Sequence, residues 1–376
     1  MQDDVSAALD QQDYQKAAQR LKVWKAQSPN DPWLGIYIGR YQEATGKDKA
    51  AETTYRSVLK ATRNPKVMTQ ARNGIERIVA TREANRQGAI AQAKAAPGSD
   101  ALSMLLLDPV PSAQRQVAAQ GLASVMGIDP YTARMQLPSK GFRIYRVGGI
   151  GELKYYGESL QTAQTPAYWT RLDQLTSVEV FQVRYFRAVA PRAVVVCAND
   201  SKQLGTITFD WSEVNQRASG LLPIFESVVD LGPWQKLQRK QKTQDYAYVL
   251  DLHLYNRSTI LRLCDRTYEF QQGDPLDKSP AEAGSASLSQ TTTRHRWDRL
   301  TQYLETQIDG PLQADFTAFG EGAIEYVDLL PLNFSAHLDL GRVKPTNWDP
   351  AFQLYSSLCF RRGQENAMPR PKHSVS

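Results

Sequence analysis

Between Asp13 and Val79 apolar residues recur every three or four positions, the spacing that lines one face of a helix. Ala17, Leu21 and Trp24 form the first stripe. Their helix opens at Asp13-Tyr14 and is followed by Pro29, so residues 5–29 read as a helix pair or its second half. Pro32 and Trp33 lead into another helix, with Ile38 and Gly39 side by side. Gly46 then makes a turn, Ala51, Tyr55 and Val58 face inward on the next helix, and Asn64-Pro65 ends it. A third helix, over about 66–94, carries Val67, Met68, Ala71, Ile75, Ile78 and Val79 and caps the stack. The stripes repeat: Gln12 maps onto Gly46, Ala17 onto Ala51, Leu21 onto Tyr55 and Trp24 onto Val58, each pair 34 positions apart.

Beyond the linker Ala95-Ala96-Pro97-Gly98-Ser99 the periods change. A strand at 103–107, helices at 114–126 and from Asp129, a strand at 142–147, a helix at 152–164 and a strand at 167–172 make a small α/β module. From Ser177 period-two alternation predicts strands at 178–186, 193–198, 205–211, 247–255 and 259–270. Within that run, Ser219–Val229 reads as a helical or irregular insertion and Gln235–Gln244 as a basic connector. Gln271–Thr293 is rich in Ser, Ala, Gly and Pro and predicts a disordered loop. A helix at 294–308 comes next, then a helical stretch at 313–329, two short apolar segments at 335–340 and 354–360, and a flexible tail at 363–376. The expected class is α+β: a helical-repeat domain at 1–96, a small α/β domain at 99–175 and a β-rich domain at 176–362 with the loop 271–293.

The 34-residue period resembles tetratricopeptide repeats, helix-turn-helix units whose stack forms a groove for partner proteins. Two repeats and a cap make a short array, where about three units are needed to stand alone. Such an array docks on the downstream part of the chain or is completed by a guest. The small module's strand-helix-helix-strand-helix-strand order resembles the C-terminal domain of the ribosomal stalk protein. The strands closed by a helix resemble a pleckstrin-homology-like barrel.

Composition adds little beyond solubility and charge. The chain has 376 residues, is 41% hydrophobic and 22% charged, and has a mean hydropathy of −0.48. No apolar run approaches the roughly 18 residues of a membrane span, and Met1-Gln2-Asp3-Asp4 lacks the features of a signal peptide. Three scattered cysteines, Cys197, Cys264 and Cys359, suit a reducing compartment and buried packing. The net charge is +6, and between Lys60 and Lys94 eight basic residues stand against Glu76 and Glu83. That stretch is either a solvated helix face or a surface for nucleic acid, an acidic protein or anionic lipid.

Chemistry-bearing patterns are sparse. Asp251-Leu252-His253 and His337-Leu338-Asp339 place a carboxylate and an imidazole two apart, on one face of a strand, where a carboxylate would orient the ring. Gly148-Gly149-Ile150-Gly151 lies between a strand and a helix, yet its spacing matches neither the phosphate-loop nor the dinucleotide fingerprint. Arg143-Ile144-Tyr145-Arg146 and Arg184-Tyr185-Phe186-Arg187 interleave basic and aromatic residues, as base-stacking strands do and as half-buried strands also do. No catalytic residue, metal site or cofactor is expected.

Met104–Pro109, Gly127–Arg134, Val180–Phe186 and Phe209–Val214 resemble an uncharacterised family of tetratricopeptide-repeat-containing proteins from cyanobacteria. The resemblance implies a lineage and carries no functional residue across. It implies a cytoplasmic protein, peripheral to the thylakoid membrane, of the kind that serves as an assembly or scaffold factor for photosynthetic complexes. The expected function is a non-enzymatic adaptor. Its groove holds a protein partner on the open inner face around Trp33, Tyr37, Arg40 and Tyr41, with Arg72 as charged anchor. The competing expectation is a nucleic-acid or anionic-surface binder using Lys66, Arg72, Arg77, Arg82 and Arg86. An enzyme would need His253 or His337 beside a carboxylate in a pocket.

Overall fold

The computed structural model describes residues 1–231, 237–274, 292–328, 335–342, 344 and 346–367. The chain divides into two compact units, Met1–Ala96 and Pro97–Ser376, and is a mixed α+β protein.

The first unit is helical throughout: α1 (Gln2–Asp10), α2 (Tyr14–Gln27), α3 (Pro32–Ala44), α4 (Asp48–Ala61) and α5 (Pro65–Ala95). Short polar side chains start three of them. Asp13 accepts from the Lys16 N–H, Asp31 from the Trp33 N–H and Asn64 from the Lys66 N–H. Asn64-Pro65, expected only to end α4, also begins α5, because proline at a first helical position loses no hydrogen bond. The triplets Ala17, Leu21, Trp24 and Ala51, Tyr55, Val58 are all buried. The first lies in a core shared by α1, α2 and α3, the second in a core shared by α3, α4 and α5. Gly39 and Gly74 flank the Tyr55 ring: a Cβ at either would fall 2.4–2.5 Å from its carbons. The Tyr55 hydroxyl donates to Glu43 at 2.9 Å, and Arg77 grips the same carboxylate at 3.0 and 3.1 Å, tying α3, α4 and α5 together.

The second unit begins with β1 (Leu102–Leu107), α6 (Arg115–Met126), α7 (Pro130–Gln136), β2 (Arg143–Gly149), α8 (Ile150–Thr162) and β3 (Ala167–Arg171). β1 lies between β2 and β3, antiparallel to both, and α8 packs on all three. After α9 (Leu172–Thr176) come β4 (Glu179–Ala188), β5 (Ala193–Ala198), β6 (Leu204–Phe209), β7 (Gln216–Leu231), β8 (Leu237–Leu254) and β9 (Thr259–Cys264). They are followed by α10 (Thr293–Gln307), β10 (Leu312–Gln313), α11 (Phe316–Val327) and α12 (Trp348–Ala367). The larger sheet has the order β10-β7-β8-β9-β4-β5-β6. The β10–β7 and β4–β9 pairs are parallel and β10 and β6 are separate ends, so among the described residues these strands form an open mixed sheet rather than a pleckstrin-homology-like barrel.

Side-chain alternation assigns the two faces of this sheet. Ala218, Leu222, Ala247, Val249 and Cys264 share a core with α11, α12 and the small sheet residues Met104, Leu106 and Ile144. Leu250, Leu252, Leu254, Leu261 and Leu263 on the other face pack with Trp297, Leu300 and Leu304 of α10. The small module therefore shares its core with the β-rich part.

Four sequence expectations are corrected here. Ser219–Val229 is not an insertion and Gln235–Gln244 is not wholly a connector: from Leu237 onward the latter is strand, and β7 and β8 pair as one long hairpin. Gly220 and Pro223 read as breakers, but each has a tertiary role. A Cβ at Gly220 would fall 2.6 Å from Phe352 and 2.7 Å from Phe316. Pro223 stands opposite Tyr246 in the β7–β8 register, and its carbonyl accepts from Arg342 at 2.6 Å. The apolar stretch 354–360 is the middle of α12, which continues to Ala367 through the start of the expected tail. Arg362 holds Asp108 at 2.5 and 2.6 Å, and Gln364 donates to the Tyr255 carbonyl at 3.0 Å, so tertiary contacts keep that end helical. Most of the expected loop at 271–293 and the tail beyond Ala367 lie outside the described residues.

Candidate functional site

The expected partner face lies on α3 and α5. Trp33 is half-buried and packs against both helical cores, while Tyr37 and Tyr41 pack on the first. The Tyr37 ring lies 5.6 Å from Trp24, Arg40 sits 5.4 Å over Tyr37, and Arg40 approaches Asp10 to 3.6 Å. These side chains thus join hairpin to hairpin as well as facing outward. Arg72 is exposed and has no ion-pair partner among the described residues, and Lys66 is likewise exposed at the start of α5.

The basic patch is less basic in space than along the chain. Arg77 is paired with Glu43, Arg82 with Glu52 at 3.2 Å and Arg86 with Glu83 at 3.7 Å. Glu43 and Glu52 lie on α3 and α4, outside the window in which eight bases outnumber two acids. The Arg56 guanidinium holds the Glu52 carboxyl below its ordinary range, and Arg82 adds to the effect. Lys66, Arg77, Arg82 and Arg86 therefore do not make one free cationic stripe.

In the second unit, Asp251 and His253 do share a face of β8, and both are fully buried. They are joined through α12: Ser356 Oγ donates to Asp251 at 2.5 Å and lies 3.0 Å from His253 Nε2. Since the hydroxyl hydrogen goes to the carboxylate, Nε2 carries the imidazole proton, and Nδ1 is buried without a partner. The expected carboxylate-oriented histidine is thus replaced by an Asp-Ser-His chain. Burial is the chief reason the His253 pKa falls from 6.5 to about 4; Asp251 opposes the shift and Arg262 reinforces it. Arg262, adjacent on β9, grips Asp251 at 2.7 and 2.9 Å, donates to the Ala336 carbonyl and lies 4.9 Å over Phe352. The arrangement neutralises a charge inside the fold and gives His253 no solvent path.

His337 meets Asp200, not Asp339, and Asp339 pairs with Lys202 at 2.9 Å. Both pairs border a cavity of about 250 Å³ between residues 335–339 and the β5–β6 turn. The amides of Ile150 and Gly151 donate to the Ala101 and Ser99 carbonyls at 2.9 Å, so the glycine-rich turn presents neither to a phosphate. Phe186 is buried, Tyr185 is partly buried against the sheet core and Arg146 pairs with Glu152, while Tyr145 stays half-buried. Cys197, Cys264 and Cys359 are buried, and burial pushes their thiols up to about 11, 12 and 12, away from reactive thiolate. Among the described residues no group of three or more His, Cys, Asp and Glu side chains is placed to hold a metal, and no helix is long and apolar enough to cross a membrane.

Sequence reasoning missed Arg262 and Ser356. The signal for Arg262 was present, a guanidinium within the apolar run Thr259–Cys264, whereas nothing marked Ser356. No protein-family model, curated protein or solved structure matches the chain.

Proposed function

We propose that this chain is a non-enzymatic adaptor, an assembly or scaffold factor, whose helical hairpins in Met1–Ala96 hold a segment of a protein partner. One observation supports this above the others. Two successive hairpins bury equivalent triplets, Ala17, Leu21 and Trp24 of α2 and Ala51, Tyr55 and Val58 of α4, at a 34-residue offset, the packing of stacked repeats that present one face to a partner. That surface mixes the half-buried rings of Trp33, Tyr37 and Tyr41 with the guanidinium groups of Arg40 and exposed Arg72. Aromatic bodies beside cations suit an amphipathic segment carrying acidic residues. Service to photosynthetic complexes at the thylakoid rests on the family resemblance alone. The non-enzymatic reading is supported by the closed state of the Asp251-Ser356-His253 chain, which has no open face for a substrate.

A photo-crosslinking residue at exposed Glu76, one turn from Arg72 on α5, with a second at Lys60 of α4 as control, tests the reading while leaving Arg72 in place. The expected result is one protein adduct from position 76, none from position 60, and retention after nuclease treatment. Loss of every adduct on nuclease treatment would favour the nucleic-acid reading. Binding to phosphates would also weaken about a thousandfold or more between about 50 and 200 mM salt for about six contacts, whereas a partly apolar groove changes little. Arg72→Glu is expected to weaken the partner about 30-fold, the effect of losing a strong interface arginine.

A further inference from the structure

Proline starts both α3 and α5, each time after a capping residue, Asp31 before Pro32 and Asn64 before Pro65. The two helices align with an offset of 33 positions, and the alignment holds in space. Leu34, Ile38 and Tyr41 of α3 join the first helical core. Their equivalents Val67, Ala71 and Gly74 are buried on the side of α5 that meets α3 and α4. α5 thus has the place of the first helix of a third hairpin, and Met1–Ala96 holds no second helix for it.

The second hairpin shows what that helix would cover. α4 lies on the side of α3 that carries Gly35, Gly39, Gln42 and Glu43. A Cβ on Gly35 would fall 2.4 Å from Val58, and one on Gly39 2.4 Å from the Tyr55 ring. Gln42 accepts from Thr54 at 2.8 Å and Glu43 from Tyr55 at 2.9 Å, so the two helices run antiparallel. The equivalent side of α5 carries Met68, Arg72, Ile75 and Glu76, with Val79 one turn beyond Ile75. Arg72 and Glu76 are exposed, Met68 and Ile75 are half-buried, and Val79 is 50% exposed. A terminal helix that only faces water has a polar outer side. This one instead keeps an apolar stripe at helical spacing, broken by a guanidinium without an ion-pair partner among the described residues.

We propose that a helix of the protein partner completes this third hairpin, antiparallel to α5 as α4 is to α3, with a carboxylate on Arg72. The inference rests on the adaptor reading and adds the open end of the stack to the partner surface. Met68 and Arg72 stand where α3 has glycines, so the guest needs a small residue where α4 has Val58 and an acidic one where α4 has Tyr55. A second copy fits less well: its α4 is already seated on α3, and its α5 would set Met68 and Arg72 against side chains of equal bulk.

α4 supplies the probe. A synthetic peptide of residues 47–62 with Tyr55→Glu and Val58→Ala is the acidic guest, and the same peptide with Tyr55→Lys is its basic counterpart. Each is titrated calorimetrically into the full chain. The acidic peptide is expected to bind one to one, about tenfold or more tighter than the basic one, the scale of one charge-assisted contact. Arg72→Glu is expected to reverse that preference. Val79→Asp, at an exposed position, is expected to weaken both peptides about tenfold, and Arg40→Ala on the inner face to leave both unchanged. No binding of either peptide, or a preference that Arg72→Glu does not move, overturns the inference. Binding lost with Arg40→Ala but kept with Val79→Asp overturns it and leaves the adaptor reading standing, whereas that reading fails separately if the crosslinker at position 76 captures no protein. Self-association in sedimentation that Val79→Asp abolishes would assign the face to a second copy and overturn the partner helix.

Discussion

His253 has the most displaced environment of the titrating side chains that act near neutral pH. Its folded-state pKa, lowered to about 4 from 6.5, means the unfolded chain binds a proton that the folded chain excludes. Its contribution to stability is therefore complete above pH 6.5 and is lost as pH falls toward 4. The slope is at most about 1.4 kcal/mol per pH unit. Urea unfolding at a series of pH values should show that slope, and His253→Phe should flatten it. Its neighbours set a second expectation. Asp251→Ala strands the buried Arg262 guanidinium and should cost about 3–5 kcal/mol, whereas replacing both partners by leucine and methionine should cost much less. A double-mutant cycle by urea unfolding measures the difference, and equal costs for the single and double variants would contradict the account. The residue types of this cluster were visible in the sequence. The serine that links them was not, because Ser356 lies 105 residues from Asp251 and only the docking of α12 brings them together.

Helices with strong stripes and short polar starters were readable element by element, since a period and a cap are local properties. The four helices α2 to α5 and the strands β4 and β5 belong to this group, whereas β9, buried on both faces, ends at Cys264 and not at the expected 270. The long β7–β8 hairpin was not, because β7 is interrupted by Gly220 and Pro223 and the first half of β8 is polar. The reasons for both residues lie on other elements, Phe352 and Phe316 for one and Arg342 for the other. Glycines that admit a neighbour also provide an element-scale test. Gly74→Ala would place a methyl group 2.5 Å from the Tyr55 ring and should destabilise the helical unit by about 1–3 kcal/mol. Hydrogen exchange of α3, α4 and α5 should accelerate accordingly, while unchanged protection would mean that the Tyr55 ring has room to move.

At the scale of the whole molecule, the two compact units predict two responses. Gly74→Ala should lower the unfolding transition of Met1–Ala96, and Asp251→Ala that of the unit beginning at Pro97, each with little effect on the other. Differential scanning calorimetry with limited proteolysis near the exposed residues Ala95–Gly98 reads both, and a single shared transition that either variant shifts would contradict independence. The candidate partner surface follows the same division. Its residues could be named from the 34-residue repeat, but their availability could not. Tyr37 and Arg40 are partly engaged within the stack, and Arg77 and Arg82 are answered by carboxylates from other helices. By itself the sequence determined the helical hairpins, most of the strands and the α+β class, because each depends on the spacing of neighbours along the chain. Only the tertiary structure decided which charges are spent and which histidine is dry. Those properties depend on what distant segments bring to the same place, and period and composition hold no record of distance in space.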